Sequence, residues 1–337
     1  DAGWYPTGDV EPWDFLPGLG TWTWDEERFP SGLPALRDRA HELGLRFGLW
    51  VEPERIDLET LKRPDGPRER WLATEQGVYD MNTPREQTRG AQICLADPEA
   101  WEWVYNHLVA LIDEVRPDYL KWDNNLWVNC NREGHGHDAE DGNFRHVRSL
   151  YDMLAMVRER FPDLQIENVS GGGNRLDLGM ARLTDTACMD DQTAPAVHVR
   201  HNLGGLGSVF PPAYLLSFLV DDEIDRLWES ADLPLLVRSR MPGAFGLSVR
   251  ASDMNGDFQR TVASEIETYK TLREVLRHGS TQLLTAQAVP WAESGWDAIQ
   301  ATSAADGTVV IFAFQSNPDV GDARVAQVAL DGVVAHE

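Results

Sequence analysis

Tyr119-Leu120-Lys121-Trp122-Asp123-Asn124-Asn125 reads as a buried strand that carries a lysine and an aspartate two positions apart and then stops. Successive side chains of a strand alternate between faces, so Lys121 and Asp123 project together while Leu120 and Trp122 project to the other side. Pro117-Asp118 before the run and Asn124-Asn125 after it bound the strand. A charged pair at the C-terminal end of such a strand sits where parallel α/β barrels carry their chemistry. A plain strand-end salt bridge is the alternative.

Outward from this strand, residues 32 to about 190 alternate helical and strand patterns, as repeated βα units around a parallel sheet do. Leu33 to Leu43 is amphipathic and stops at Gly44; Arg46 to Val51 is a strand stopped by Glu52-Pro53-Glu54. Asp97 caps a helix with Pro98 at its first position, running to about Val115. After the Lys121 strand come a polar loop from Asn129 to Asn143, a helix to about Arg160, and a strand from Leu164 to Val169. Ser170-Gly171-Gly172-Gly173 is a tight turn, Asn174 to Leu183 reads as a short helix, and Thr184 to Met189 as a strand ending in Asp190-Asp191. Tyr214 to Val220 and Met241 to Ser248 are further core elements, and a long helix covers about Phe258 to Arg277. From Thr281 the pattern is strand and turn, with Ala301 to Gly307 as loop and Thr308 to Phe314 as a strong strand. The expected organisation is a catalytic barrel over 1–280, N-terminally incomplete, and the start of a C-terminal β-domain over 281–337.

The 337 residues carry a formal net charge of −25, which disfavours nucleic acid or an anionic membrane as partner. A neutral substrate is indifferent to that field, and a homo-oligomer stays open. The three cysteines, Cys94, Cys130 and Cys188, have no CxxC spacing, which argues against a disulfide framework or a structural zinc site and for a reducing, cytoplasmic setting. The chain begins at Asp1 and not at Met, so it reads as a fragment whose upstream part could hold a signal peptide. His135-Gly136-His137-Asp138 reads as a solvated loop, since no third metal ligand stands near it in sequence, and Asp253 to Asp257 reads as a turn and not a calcium loop. The 13 tryptophans are many for this length, and those beside polar residues or turns, Trp4, Trp13, Trp22, Trp24, Trp71 and Trp127, are candidates for stacking on sugar rings.

Acidic residues stand at the ends of successive strands: Asp1, Glu52 and Glu54, Asp123, Glu167, then Asp190 and Asp191. Barrel topology gathers such ends at one mouth, and two carboxyl groups flanking a glycosidic bond are the minimal equipment for hydrolysing it.

Phe47-Gly-Leu-Trp-Val-Glu-Pro-Glu54, Lys121-Trp-Asp123 with Asn125, and Ser170-Gly-Gly-Gly173 followed by Arg175, Asp177 and Asp190-Asp191 together resemble glycoside hydrolase family 36, the α-galactosidases. The resemblance implies a (β/α)8 barrel whose first strand lies upstream of Asp1, followed by a small C-terminal β-sandwich. It implies retaining hydrolysis of terminal α-galactosyl residues through a covalent intermediate, with no metal or organic cofactor. Carried over, Asp123 is the nucleophile and Asp190 the general acid/base, with Asp191 the second candidate. Asp1, Trp50, Arg89, Lys121, Asn125, Ser170, Gly171 and Asp191 are the implied substrate contacts. Lys121 beside Asp123 favours the ionised nucleophile, and Asp191 beside Asp190 the protonated acid. Ala2 and Val169 depart from the family pattern, which has Asp and Cys there, and both belong to the subsite that reads the sugar's hydroxyls. The alternatives are a transglycosylase on the same scaffold and a catalytically silent carbohydrate-binding protein.

Overall fold

The computed structural model describes residues 1–8, 14–73, 90–126, 129–220, 227, 232–290 and 295–316. The chain divides into two compact units, Asp1–Asp185 and Thr186–Glu337.

In the first unit, helix α1 (Gly32–Glu42) precedes strand β1 (Gly48–Val51), and the short strands β2 (Arg55–Asp57) and β3 (Gly90–Gln92) pair antiparallel. Helix α2 (Pro98–Val115) starts where the sequence signals it, because the Asp97 side chain accepts the Ala100 N–H at 2.9 Å and Pro98 needs no hydrogen bond there. Its buried stripe, Ala100, Val104, Leu108, Leu111, Ile112 and Val115, packs into the main core with Leu120, Trp122 and Ile166. Strand β4 (Tyr119–Trp122), helix α3 (Gly142–Arg160) and strand β5 (Gln165–Asn168) follow. β1, β4 and β5 are parallel, with Trp50 opposite Lys121 and Lys121 opposite Glu167. Leu120 and Trp122 are fully buried and Lys121 is not, as the alternation required.

The turn expected at Ser170–Gly173 is the single turn α4 (Ser170–Gly173), and the helix expected over 174–183 is shorter, α5 (Leu178–Ala181). Asp177 breaks the run, its extended backbone and carboxylate capping the N–H groups of Gly179 and Met180.

In the second unit, strand β6 (Thr186–Cys188), helix α6 (Ala196–Leu206), strand β7 (Leu215–Val220), helix α7 (Leu233–Arg238), strand β8 (Ala244–Ser248) and helix α8 (Gly256–Arg277) keep the βα alternation. β6, β7 and β8 are parallel. Asn255 caps α8, whose Phe258, Val262, Val275 and Leu276 join a core with Phe312 and Phe314. Strands β9 (Gly279–Leu283), β10 (Gly295–Ser303) and β11 (Val309–Ser316) form an antiparallel sheet. The loop expected at 301–307 is shorter, because Ala301 to Ser303 pair with Thr281 to Gly279 and stay in β10. Arg200 of α6 ties helix and sheet together, pairing with Asp297 of β10 at 2.8 Å and lying over the Phe314 ring.

Four tryptophans serve the core and not a surface: Trp4, Trp50, Trp71 and Trp122 are at most 6% exposed. Trp22 and Trp24 are half-buried against the same core, and Trp13 and Trp127 lie outside the described residues. No helix among the described residues is long and apolar enough to cross a membrane.

Candidate active site

Asp123 follows β4, and its N–H donates to Val51 O at 2.8 Å, which extends the parallel pairing by one residue and fixes where its side chain starts. The carboxylate is 7% exposed and receives four N–H groups. Oδ1 accepts from the backbone of Asn124 at 2.8 Å and of Gly171 at 2.9 Å; Oδ2 accepts from Trp50 Nε1 at 3.1 Å and Asn125 Nδ2 at 2.8 Å. Donors from three segments therefore orient one carboxylate and leave its direction little freedom.

Gly171 can donate because the backbone turns through the left-handed region there: Ser170 has φ 53°, Gly171 56° and Gly172 76°. Consecutive glycines adopt those angles without a Cβ clash, and a turn of this kind aims N–H groups inward. Ser170, expected as a sugar contact, is fully buried with its Oγ donating to Asn168 at 3.3 Å. Trp50, expected to line the sugar pocket, is 2% exposed, with its indole edge on Asp123 and its own carbonyl accepting from Trp4 Nε1 at 2.8 Å.

Lys121 Nζ lies 3.1 Å from Asp1 Oδ2, so those two expected residues are brought together, and Ala2, next to Asp1 in sequence, is half-buried. Asn125 donates its side chain to Asp123 and its backbone N–H to Glu52 Oε1. The contacts that orient Asp123 thus come from N–H donors. Arg89 lies outside the described residues.

Glu52 and Glu54, both from the turn after β1, are buried and behave oppositely. Burial pushes the Glu52 carboxyl up to about 7, with Arg55 opposing and Asp123 reinforcing the shift. Burial also acts on Glu54, but the Arg175 guanidinium and the His146 hydrogen bond outweigh it and hold that carboxyl well below the usual range. The sequence placed both at a mouth; neither is an open acid. The signal missed was Arg175, which is the natural partner of a buried carboxylate but carries no mark of that in sequence.

In the second unit, Asp190 stands two residues beyond β6 with its side chain 35% exposed. Oδ1 accepts the Gln192 N–H at 2.8 Å, and Oδ2 meets His198 Nε2 at 2.9 Å and Asn202 Nδ2 at 3.1 Å. His198 and Asn202 lie one turn apart on α6, so one helix face supplies both partners. Asp191 is exposed, with Oδ1 3.8 Å from Cys188 Sγ. His135, expected to be solvated, is 3% exposed and faces Cys130.

The melibiase family model matches residues 1–279. The α-galactosidase Mel36A of Lactobacillus acidophilus is 28% identical over 294 residues, covering 86% of this chain and 38% of that protein. An α-galactosidase of Escherichia coli is 32% identical over 218 residues, covering 63% of this chain and 28% of that protein. The chain therefore spans less than half the length of these curated relatives. Among solved structures, a variant of the family 36 α-galactosidase AgaA of Geobacillus stearothermophilus, in complex with 1-deoxygalactonojirimycin, superposes with a TM-score of 0.79 at 23% identity, covering 98% of this chain and 44% of that one. AgaB of the same organism gives 0.75 at 22% identity, covering 94% and 42%. These likenesses show the fold, a (β/α)8 barrel followed by a β-domain.

Proposed function

The chain belongs to the melibiase family, and from that premise we propose that it hydrolyses terminal α-galactosyl residues of oligosaccharides or glycosides by double displacement through a covalent glycosyl-enzyme. The carrying observation is the Asp123 carboxylate, oriented by four N–H groups at the C-terminal end of β4. A nucleophile must present one oxygen to the anomeric carbon at a fixed angle, and four donors from three segments supply that constraint. That α-galactosidases match this chain, and that solved relatives carry raffinose or stachyose, supports a galactosyl oligosaccharide as substrate.

In this reading Asp123 attacks and Asp190 is the acid that protonates the leaving oxygen, then the base that activates water. The His198 and Asn202 contacts favour Asp190 over Asp191 for that role, because a proton donor must be held in one orientation. Asp1, Lys121, Asn125 and Arg89 serve as contacts to the sugar hydroxyls. The boundary of the catalytic barrel falls near residue 280, which the end of the family match at residue 279 supports.

The test is the stereochemistry of hydrolysis of an aryl α-galactoside followed by NMR. Retention makes α-galactose the first product, and Asp123→Gly is expected to lose turnover while azide restores it as the β-galactosyl azide. First release of the β-anomer by wild-type protein would exclude double displacement.

A further inference from the structure

Cys94, Cys130, His135 and His137 bring one ligand atom each to a single point, all four atoms lying within 4.8 Å of one another. We propose that these residues form a structural zinc site, independent of the glycosidase reading, that fastens the loop after Asp123 to the start of α2.

Two of the distances are close to those of a filled tetrahedron. Bonds of about 2.3 Å to sulfur and about 2.0–2.1 Å to nitrogen put neighbouring S and N atoms roughly 3.5 Å apart. Cys94 Sγ lies 3.5 Å from His137 Nε2, and Cys130 Sγ lies 3.2 Å from His135 Nδ1.

Each imidazole is turned to offer a lone pair. His135 Nε2 lies 2.6 Å from Arg70 O and His137 Nδ1 lies 2.7 Å from Asp138 O. A carbonyl accepts only, so those nitrogens carry the protons and the nitrogens facing sulfur carry the lone pairs. Anchoring the remote N–H on a carbonyl is the usual way a metal-binding histidine is held. Thiol–imidazole hydrogen bonds could account for each pair separately, but they give no reason for the two pairs to converge.

Two cysteines and two histidines make a borderline-soft tetrahedral set that suits zinc, and four protein ligands leave no position for substrate. Two thiolates also neutralise the ion, so no net charge is buried. Binding as the dithiolate releases the thiol protons to solvent. Cys94 and Cys130 are at most 1% exposed, and the third cysteine, Cys188, belongs to the other unit. Cys94 precedes the α2 cap Asp97, and Cys130 to His137 occupies the loop that follows Asn125. The ion would therefore hold that loop at the C-terminal side of β4, a structural duty and not a chemical one.

The experiment measures metal content by mass spectrometry in tag-free protein from zinc-replete cells, purified without chelator. About one zinc per chain is expected in wild type and in Cys188→Ser, and loss of it in Cys94→Ser, Cys130→Ser and the less buried His137→Asn. Because buried cysteine variants can misfold, cobalt(II) exchanged into the wild-type protein supplies a second readout, the intense visible bands and thiolate charge transfer of tetrahedral cobalt. Zinc well below stoichiometric in folded wild-type protein, with no such cobalt spectrum, overturns the proposal. So does an intact mass two hydrogens light that reports a Cys94–Cys130 disulfide.

Discussion

The Arg175 guanidinium grips the Glu54 carboxylate through two hydrogen bonds of 2.8 and 2.7 Å across 121 positions of sequence. His146 Nε2 reaches the same carboxylate at 2.7 Å, and His146 Nδ1 accepts the Leu95 N–H at 3.1 Å. The turn after β1, the segment before α2, helix α3 and the turn after the glycines are thereby locked to one buried acid. Asp123 hangs from the elements next to two of those segments, β1 through Trp50 and the glycine turn through Gly171.

Removing one partner of a fully buried pair leaves the other charge uncompensated, which costs about 3–5 kcal/mol. Arg175→Met is expected to lose that much unfolding free energy in urea, and Arg175→Met combined with Glu54→Met to lose less than the single change. A single-variant loss under about 1 kcal/mol would contradict the role given to the pair.

Trp50→Phe keeps a flat ring, fills less of the core and deletes the N–H that Asp123 Oδ2 accepts. A hydrogen bond to a charged group contributes about 1.5–3 kcal/mol, so kcat/KM of the folded variant is expected to fall roughly 10- to 100-fold, beside a fall in Tm from the smaller ring. Unchanged kcat/KM means this donor does not orient the reacting carboxylate.

Glu52 has its folded pKa raised from 4.5 to about 7. Between those values the folded state holds a proton that the unfolded state has released, so stability falls as pH rises through this window. Glu52→Gln cannot ionise and still accepts the Asn125 N–H. Its stability relative to wild type is expected to rise from pH 5 to pH 8 by on the order of 3 kcal/mol at most. A difference that stays flat across that range refutes the buried protonated acid.

Asp190→Asn is expected to slow hydrolysis of oligosaccharides by about 100- to 10,000-fold, and far less for aryl glycosides with an activated leaving group, which needs no protonation. Asp191→Asn is expected to show no such split. If the split appears in Asp191→Asn, the acid/base role moves to that residue.

Ala2 stands where the family pattern has an aspartate. Ala2→Asp is expected to raise the ratio of kcat/KM for an aryl α-galactoside over its 6-deoxy or pentopyranoside analogue, because a carboxylate left without its hydroxyl partner costs about 1–3 kcal/mol. The ratio cancels general damage to the protein, and a constant ratio would move the search for specificity to Val169 and the loop from Asn129 to Asn143.

The sequence by itself determined what depends on neighbours along the chain. Alternation put Leu120 and Trp122 inside and Lys121 outside, Asp97-Pro98 started α2, and the glycines after Ser170 marked a turn needing left-handed backbone angles. The strand-end position of Asp123 was readable in the same way. Tertiary structure decided which group meets which. Glu54 read as a mouth acid and is a buried clamp, Ser170 and Trp50 read as sugar contacts and are buried, and Cys94 lay too far from His135 and His137 to be counted with them. The physical reason is range. Propensity and periodicity are properties of adjacent residues, whereas the charge state of a buried acid and the company of a thiol depend on atoms that only the closed backbone brings within about 4 Å.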